Sequence, residues 1–151
     1  MRYHQLKEIY EHVTQINQEL NDLYRHFLDQ TKDERTRIFL YYIIEKQTEN
    51  ILDIKNLIRD ESIGVLSTWL DENIEHDISA LIITFKEKSD VNIETMLDMT
   101  TQVREELNDW LFTIKELVTG ETVKTHLENL IQHQSLKSQQ LMHAAHRMDD
   151  I

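Results

Sequence analysis

Two glycines and no proline in 151 residues leave this chain few ways to turn. Gly and Pro supply the backbone conformations that tight turns use, and a β-rich fold needs many such turns. Long uninterrupted helices do not. The chain is therefore expected to be all-α. Its length suits one domain, residues 1–151, with enough chain to enclose a core of its own.

The apolar residues then show how the helices are laid out. Leu6, Ile9, Val13, Ile16, Leu20, Leu23 and Phe27 step alternately by three and four, the seam of a bundle helix over about 3–30. Thr31-Lys32-Asp33-Glu34 offers a capping box, with Thr31 as N-cap and Glu34 three residues on. The second helix is predicted over about 32–60 along Leu40, Ile44, Gln47, Ile51, Ile54 and Ile58. So short a gap between two long helices makes an antiparallel hairpin. Asn92 is the expected N-cap of a third helix, about 92–118, with the seam Ile93, Met96, Thr100, Val103, Leu107, Trp110, Ile114 and Leu117. Thr119-Gly120 interrupts it. A fourth helix, about 121–149, carries Val123, Leu127, Leu130, Gln134, Lys137, Leu141, Ala144 and Met148, closing a second hairpin.

Residues 61–91 join the hairpins. They carry Gly64, a short helix expected from Ser67 (STWLDENIEH) and the run ALIITF at 80–85. The β-branched residues of that run suggest a strand, yet nothing else in the chain would pair with one, so it is expected to pack as helix over the bundle. The second helix is roughly 40 Å long. A crossover of this size can travel back along all of it and leave helices two and three parallel. An internal repeat agrees. Glu19-Leu20-Asn21-Asp22 recurs as Glu106-Leu107-Asn108-Asp109, and at the same shift Glu34 meets Glu121, Leu40 meets Leu127, Ile44 meets Ile131 and Gln47 meets Gln134.

Charge and composition narrow the functions. Acidic residues outnumber basic ones by 28 to 16, a formal net charge of −12, and such a chain repels phosphate backbones and anionic lipid heads. Nucleic acid and membrane are not expected partners. No cysteine is present, so neither disulfides nor thiolate chemistry enter, which suits the cytoplasm. The N-terminal MRYHQLKEIYEH lacks the apolar run of a signal peptide, and no apolar stretch approaches the ~20 residues of a membrane span. There is no Gly-rich phosphate loop and no Ser/His/Asp or Cys/His set, so no catalytic residues are assigned.

Paired hairpins, a long crossover and an internal repeat together resemble the ferritin-like superfamily of four-helix bundles. The resemblance covers nearly all of the chain and lies in architecture and repeat. It implies that metal-handling members take a carboxylate from helices one and three and Glu-x-x-His from helices two and four. None of the eight histidines here has Glu three residues before it. The motif's inward pair would fall on Ile44 and Gln47 in helix two and on Ile131 and Gln134 in helix four, so Ile stands for Glu and Gln for His, twice. On a helical wheel Glu45 lies roughly 140° and Glu49 about 180° from the helix-two seam, on an outward face. Glu19 and Glu106 sit near ~100° from theirs, at the flank. No metal site and no cofactor are therefore expected. Gln47 and Gln134 are expected to form a polar pair inside the core, in contact or through a shared water, within a dry centre of Ile16, Leu20, Ile44, Val103, Leu107 and Ile131.

The other polar candidates admit ordinary readings. His126 and His133, seven apart on helix four, are half of a metal site or, the reading adopted, hydrogen-bonded edge residues. His143 and His146 complement the dipole of the helix C-terminus. Lys137 on the seam is expected to snorkel or to pair with a carboxylate of a neighbouring helix. Trp69 and Trp110 read as core anchors. Ile38, Tyr41, Tyr42 and Leu52 form an apolar band on helix two opposite its seam, to be covered by the crossover or by a second subunit, and a homodimer is the expectation. The chain thus reads as a non-enzymatic bundle, a protein-interaction or small-ligand-binding module. The alternative is a divergent metal-binding or redox protein of the same superfamily.

Overall fold

The structure is a computed structural model that describes residues 5–60 and 77–149. The short helix expected from Ser67, Gly64 and Trp69 lie outside the described residues. The described residues form five helices: α1 Leu6–Gln30, α2 Glu34–Asp60, α3 Ile78–Lys86, α4 Ile93–Leu117 and α5 Glu121–Asp149. The fold is a four-helix bundle of α1, α2, α4 and α5, with α3, the helix formed by the ALIITF run, packed across α1 and α4.

Side-chain contacts fix the directions. Asn17 meets Gln47 while Leu28 meets Arg37, so α1 and α2 are antiparallel. His12 stacks edge-on against Trp110 at 4.8 Å and Tyr24 bonds Thr100 at 2.7 Å, so α1 and α4 are antiparallel too. It follows that α2 and α4 run parallel, which is what a full-length crossover between them achieves.

The α1 seam is buried throughout, from Leu6 to Phe27. In α4 the buried seam runs from Met96 to Ile114; Ile93 is half-buried and Leu117 is exposed. Trp110 is a core anchor at 3% exposure. In α2 the sequence seam needs correction. Phe39, Ile43, Asn50 and Thr36 are buried along with Leu40, Gln47, Ile51 and Ile54, whereas Ile44 is half-buried. The buried arc is rotated by roughly 40° from the seam drawn through Ile44 and Ile58. The polar members Thr36 and Asn50 hide that rotation in the sequence. Ile131 is likewise half-buried, so the dry centre expected around Ile44 and Ile131 keeps Ile16, Leu20, Val103 and Leu107 but not those two.

The α1–α2 cap also differs. The Asp33 carboxylate, not Thr31, accepts from Thr36 N at 3.0 Å and from its hydroxyl at 2.5 Å. Thr31 instead closes α1, its N–H donating to Phe27 O at 2.9 Å. Arg37 Nη1 donates to Leu28 O at 2.7 Å and to Thr31 O at 3.1 Å, covering carbonyls that α1 leaves open. At α4 the expected cap forms, Asn92 Oδ1 accepting from Thr95 N at 2.8 Å. Asp77 caps α3 by accepting from Ala80 N at 3.0 Å, and Ser79 ties α3 to α1 by donating to Glu19 at 2.6 Å.

Candidate functional site: a polar network at the bundle centre

All four bundle helices send polar side chains to one level of the core. Asn17 comes from α1, Gln47 and Asn50 from α2, Arg104 from α4 and Gln134 from α5, and none is more than 6% exposed. Asn17 is the hub. Its Oδ1 accepts from Gln47 Nε2 at 2.7 Å and from Asn50 Nδ2 at 3.1 Å, and its Nδ2 donates to Gln134 Oε1 at 3.3 Å and to Val13 O at 2.8 Å. Gln47 and Gln134 thus meet through an asparagine side chain between them.

Asn50 closes the second half of the network. Its Oδ1 takes a 2.9 Å bond from His133 Nε2 and a 3.4 Å bond from Gln134 Nε2, which sets the Nε2–H tautomer of His133. Arg104 enters from the opposite corner. Its Nη2 donates to Gln47 Oε1 at 3.1 Å, and its Nη1 to Ser138 Oγ at 3.1 Å and Gln134 O at 3.4 Å. Burial lowers the pKa of Arg104 and raises that of Tyr24, whose hydroxyl bonds Thr100 nearby. Buried amides need partners, and these five residues supply them to one another.

The remaining candidates fall around this centre. His133 is held below its ordinary pKa first by burial and then by Lys137, with Arg104 adding to the effect and Asp53 opposing it. Lys137 pairs with Asp53 of α2 at 3.4 Å. Glu45, Glu49 and Glu106 are exposed and Glu19 is half-buried against α3. His126 is half-buried on α5, two turns before His133; His143 and His146 are exposed in the last turns of α5. Ile38, Tyr41 and Leu52 are 52%, 58% and 58% exposed, whereas Tyr42 is half-buried against the core, so the apolar band on α2 is narrower than its sequence pattern.

The repeat organises the network. At the shift that relates Gln47 to Gln134, Asn17 corresponds to Arg104 and Asn50 to Lys137. The two i, i+3 pairs facing inward are therefore Gln47 with Asn50 and Gln134 with Lys137, one turn beyond the pairs drawn through Ile44 and Ile131. Asn17 and Arg104 lie roughly 70° off their own seams, and an apolar pattern takes no account of them.

The fold agrees with one in a solved structure. The crystal structure of a Thermotoga maritima protein named as a ferritin-like diiron-carboxylate protein superposes with a TM-score of 0.58, covering 97% of this chain and 98% of that one at 11% identity. The fold is ferritin-like. No protein-family model matches the chain, and no curated protein matches it either.

A diiron centre needs bridging carboxylates and imidazoles at the level where this chain places amides and a guanidinium. Among the described residues no group of three or more His, Cys, Asp or Glu is placed so that it could hold a metal ion. Amide oxygens are weak ligands for iron, and a buried guanidinium repels a cation. These residues do not fit the group. Among the described residues, too, no helix is long and apolar enough to cross a membrane.

Proposed function

We propose that this chain is a non-enzymatic ferritin-like bundle that acts through protein–protein contact, as a homodimer formed on the outer face of α2. The observation that carries the reading is the make-up of the bundle centre: five buried amide and guanidinium side chains bonded to one another, with Arg104 where metal chemistry would require carboxylate. Such a network holds the helices in register without a metal ion. Its amide donors and acceptors are largely consumed within the network, which leaves little for a reacting substrate.

Surface chemistry supports the contact role. Tyr41 and Leu52 stand out from the face of α2 opposite the core, beside Ile38. Side chains of this kind on a regular helix suit a two-fold contact, in which each patch meets its own copy. Elemental analysis of freshly purified protein, together with thermal unfolding with and without a chelator, tests the non-metal reading. The expected result is no stoichiometric iron or manganese and one melting midpoint under both conditions. Stoichiometric metal, or a midpoint that falls by many degrees with chelator, would establish the divergent metal-binding protein instead.

A further inference from the structure

Arg104 has more donors than the network uses. A guanidinium offers five N–H groups, and three bonds are made, to Gln47, Ser138 and Gln134 O. Its Nε is buried and has no partner among the described residues. No described carboxylate pairs with it, although the chain carries 28 acidic residues. A buried cation without a counter-charge is expensive, and the protein's own carboxylates stay at the surface.

A narrow cleft between α2 and α5 leads to this cation. It has a volume of ≈ 20 Å³, and Arg104, Lys46, Lys137, Gln47, Asn50 and Tyr24 line it. That is room for one water-sized particle. Three of the lining residues are cations and no described lining residue is acidic. Lys46 and Lys137 are paired with Glu49 and Asp53, at 3.5 and 3.4 Å, so Arg104 is the lining cation left without a carboxylate among the described residues. The amides add N–H dipoles, and Ile43 and Leu141 add apolar wall. At net −12 the molecule as a whole repels anions, so this local cluster runs against the global field.

We propose that the α2–α5 cleft is a binding site for a single halide-sized anion, chloride being the abundant one, with Arg104 at its floor and Lys46 and Lys137 at its mouth. The anion supplies the counter-charge that the core lacks and accepts from donors the network leaves over. A metal cation is excluded from the same space by the same charges. This goes beyond the interaction role above, because the cleft is not part of the exposed band on α2 and is filled in each subunit separately.

Chloride-35 NMR line width tests it on the intact protein. Excess broadening of the free chloride line is expected with wild type, reduced at least twofold in K46M/K137M and absent in R104M. Bromide should compete and narrow the line. The double variant changes only partly exposed side chains and keeps the test valid should R104M fail to fold. Equal broadening in wild type and K46M/K137M, or none in wild type, would overturn the proposal and leave the cleft to water. A crystal soaked in bromide gives an independent reading. An anomalous peak between Arg104 and Lys137 supports the site, and peaks confined to other surfaces refute it.

Discussion

At the scale of single residues, the centre of this protein is decided by side chains that pattern reading treats as exterior. Asn17 joins three helices, since its amide bonds Gln47, Asn50 and Gln134. Replacing it with Ala strands Asn50 Nδ2 and Gln134 Oε1 in the core, and an unsatisfied buried group costs about 1–3 kcal/mol. N17A is expected to lose roughly 2–4 kcal/mol by urea unfolding; a loss within error of zero would show that water enters and satisfies the network. His133 gives the network a pH dependence. The fold holds its pKa below the ordinary 6.5, so on acidification the unfolded chain takes up the proton first. The stability this neutral imidazole contributes is fully present above about pH 6.5 and is lost as pH falls from there through the lower folded value. Between about pH 7.5 and 5 the stability of wild type is expected to fall more than that of H133Q. Parallel pH profiles would remove His133 from the account.

At the scale of elements, the helices are set by seams and ended by caps, and the two kinds of signal differ in how easily they are read. Asn92 is followed by a helix and preceded by none it must close, so its cap is local and legible. N92A should cost about 1 kcal/mol, seen as a drop of ~2–4 °C in melting midpoint. An unchanged midpoint would mean the α4 N-terminus is held by packing alone. At the α1–α2 turn the cap expected from Thr31 is made by Asp33 instead. The cap falls to Asp33 because α2 begins at Glu34, directly after it, whereas Thr31 serves as the C-cap of α1. The bond from Thr36 holds the Asp33 carboxyl below its ordinary range, so this cap is retained above pH ~4 and lost on further acidification.

At the scale of the whole molecule, the hairpins are held by a core that does not include the outer face of α2. Charges placed on that face should therefore leave the fold intact and act on assembly. Y41E/L52E is expected to give a folded monomer, half the mass of wild type by light scattering with the same helix content by circular dichroism. The double substitution acts twice in a two-fold contact, because each copy carries it. A variant that remains a dimer of full helicity would place the contact elsewhere. One that unfolds would show the band to be covered within the chain.

Fold class, helices and helix pairing were legible before any tertiary contact was known. Helical periodicity is local, the scarcity of Gly and Pro removes the competing folds, and connection length decides whether neighbours run antiparallel. The seam of α1 and most of those of α4 and α5 could be drawn from apolar residues because the α1 face is apolar throughout and Thr100, Gln134 and Lys137 are the exceptions on the other two. The polar centre was legible only in part. Gln47 and Gln134 stand out as amides on greasy seams, whereas Asn17, Asn50 and Arg104 sit at seam edges and look like solvated residues. Only the tertiary structure, by setting four helices around one axis and rotating α2 by roughly 40°, turned those edges inward and made each the partner of another. A polar side chain is stable inside a core only where other chain segments satisfy it, and which segments do so is a property of the assembled bundle, not of any one helix.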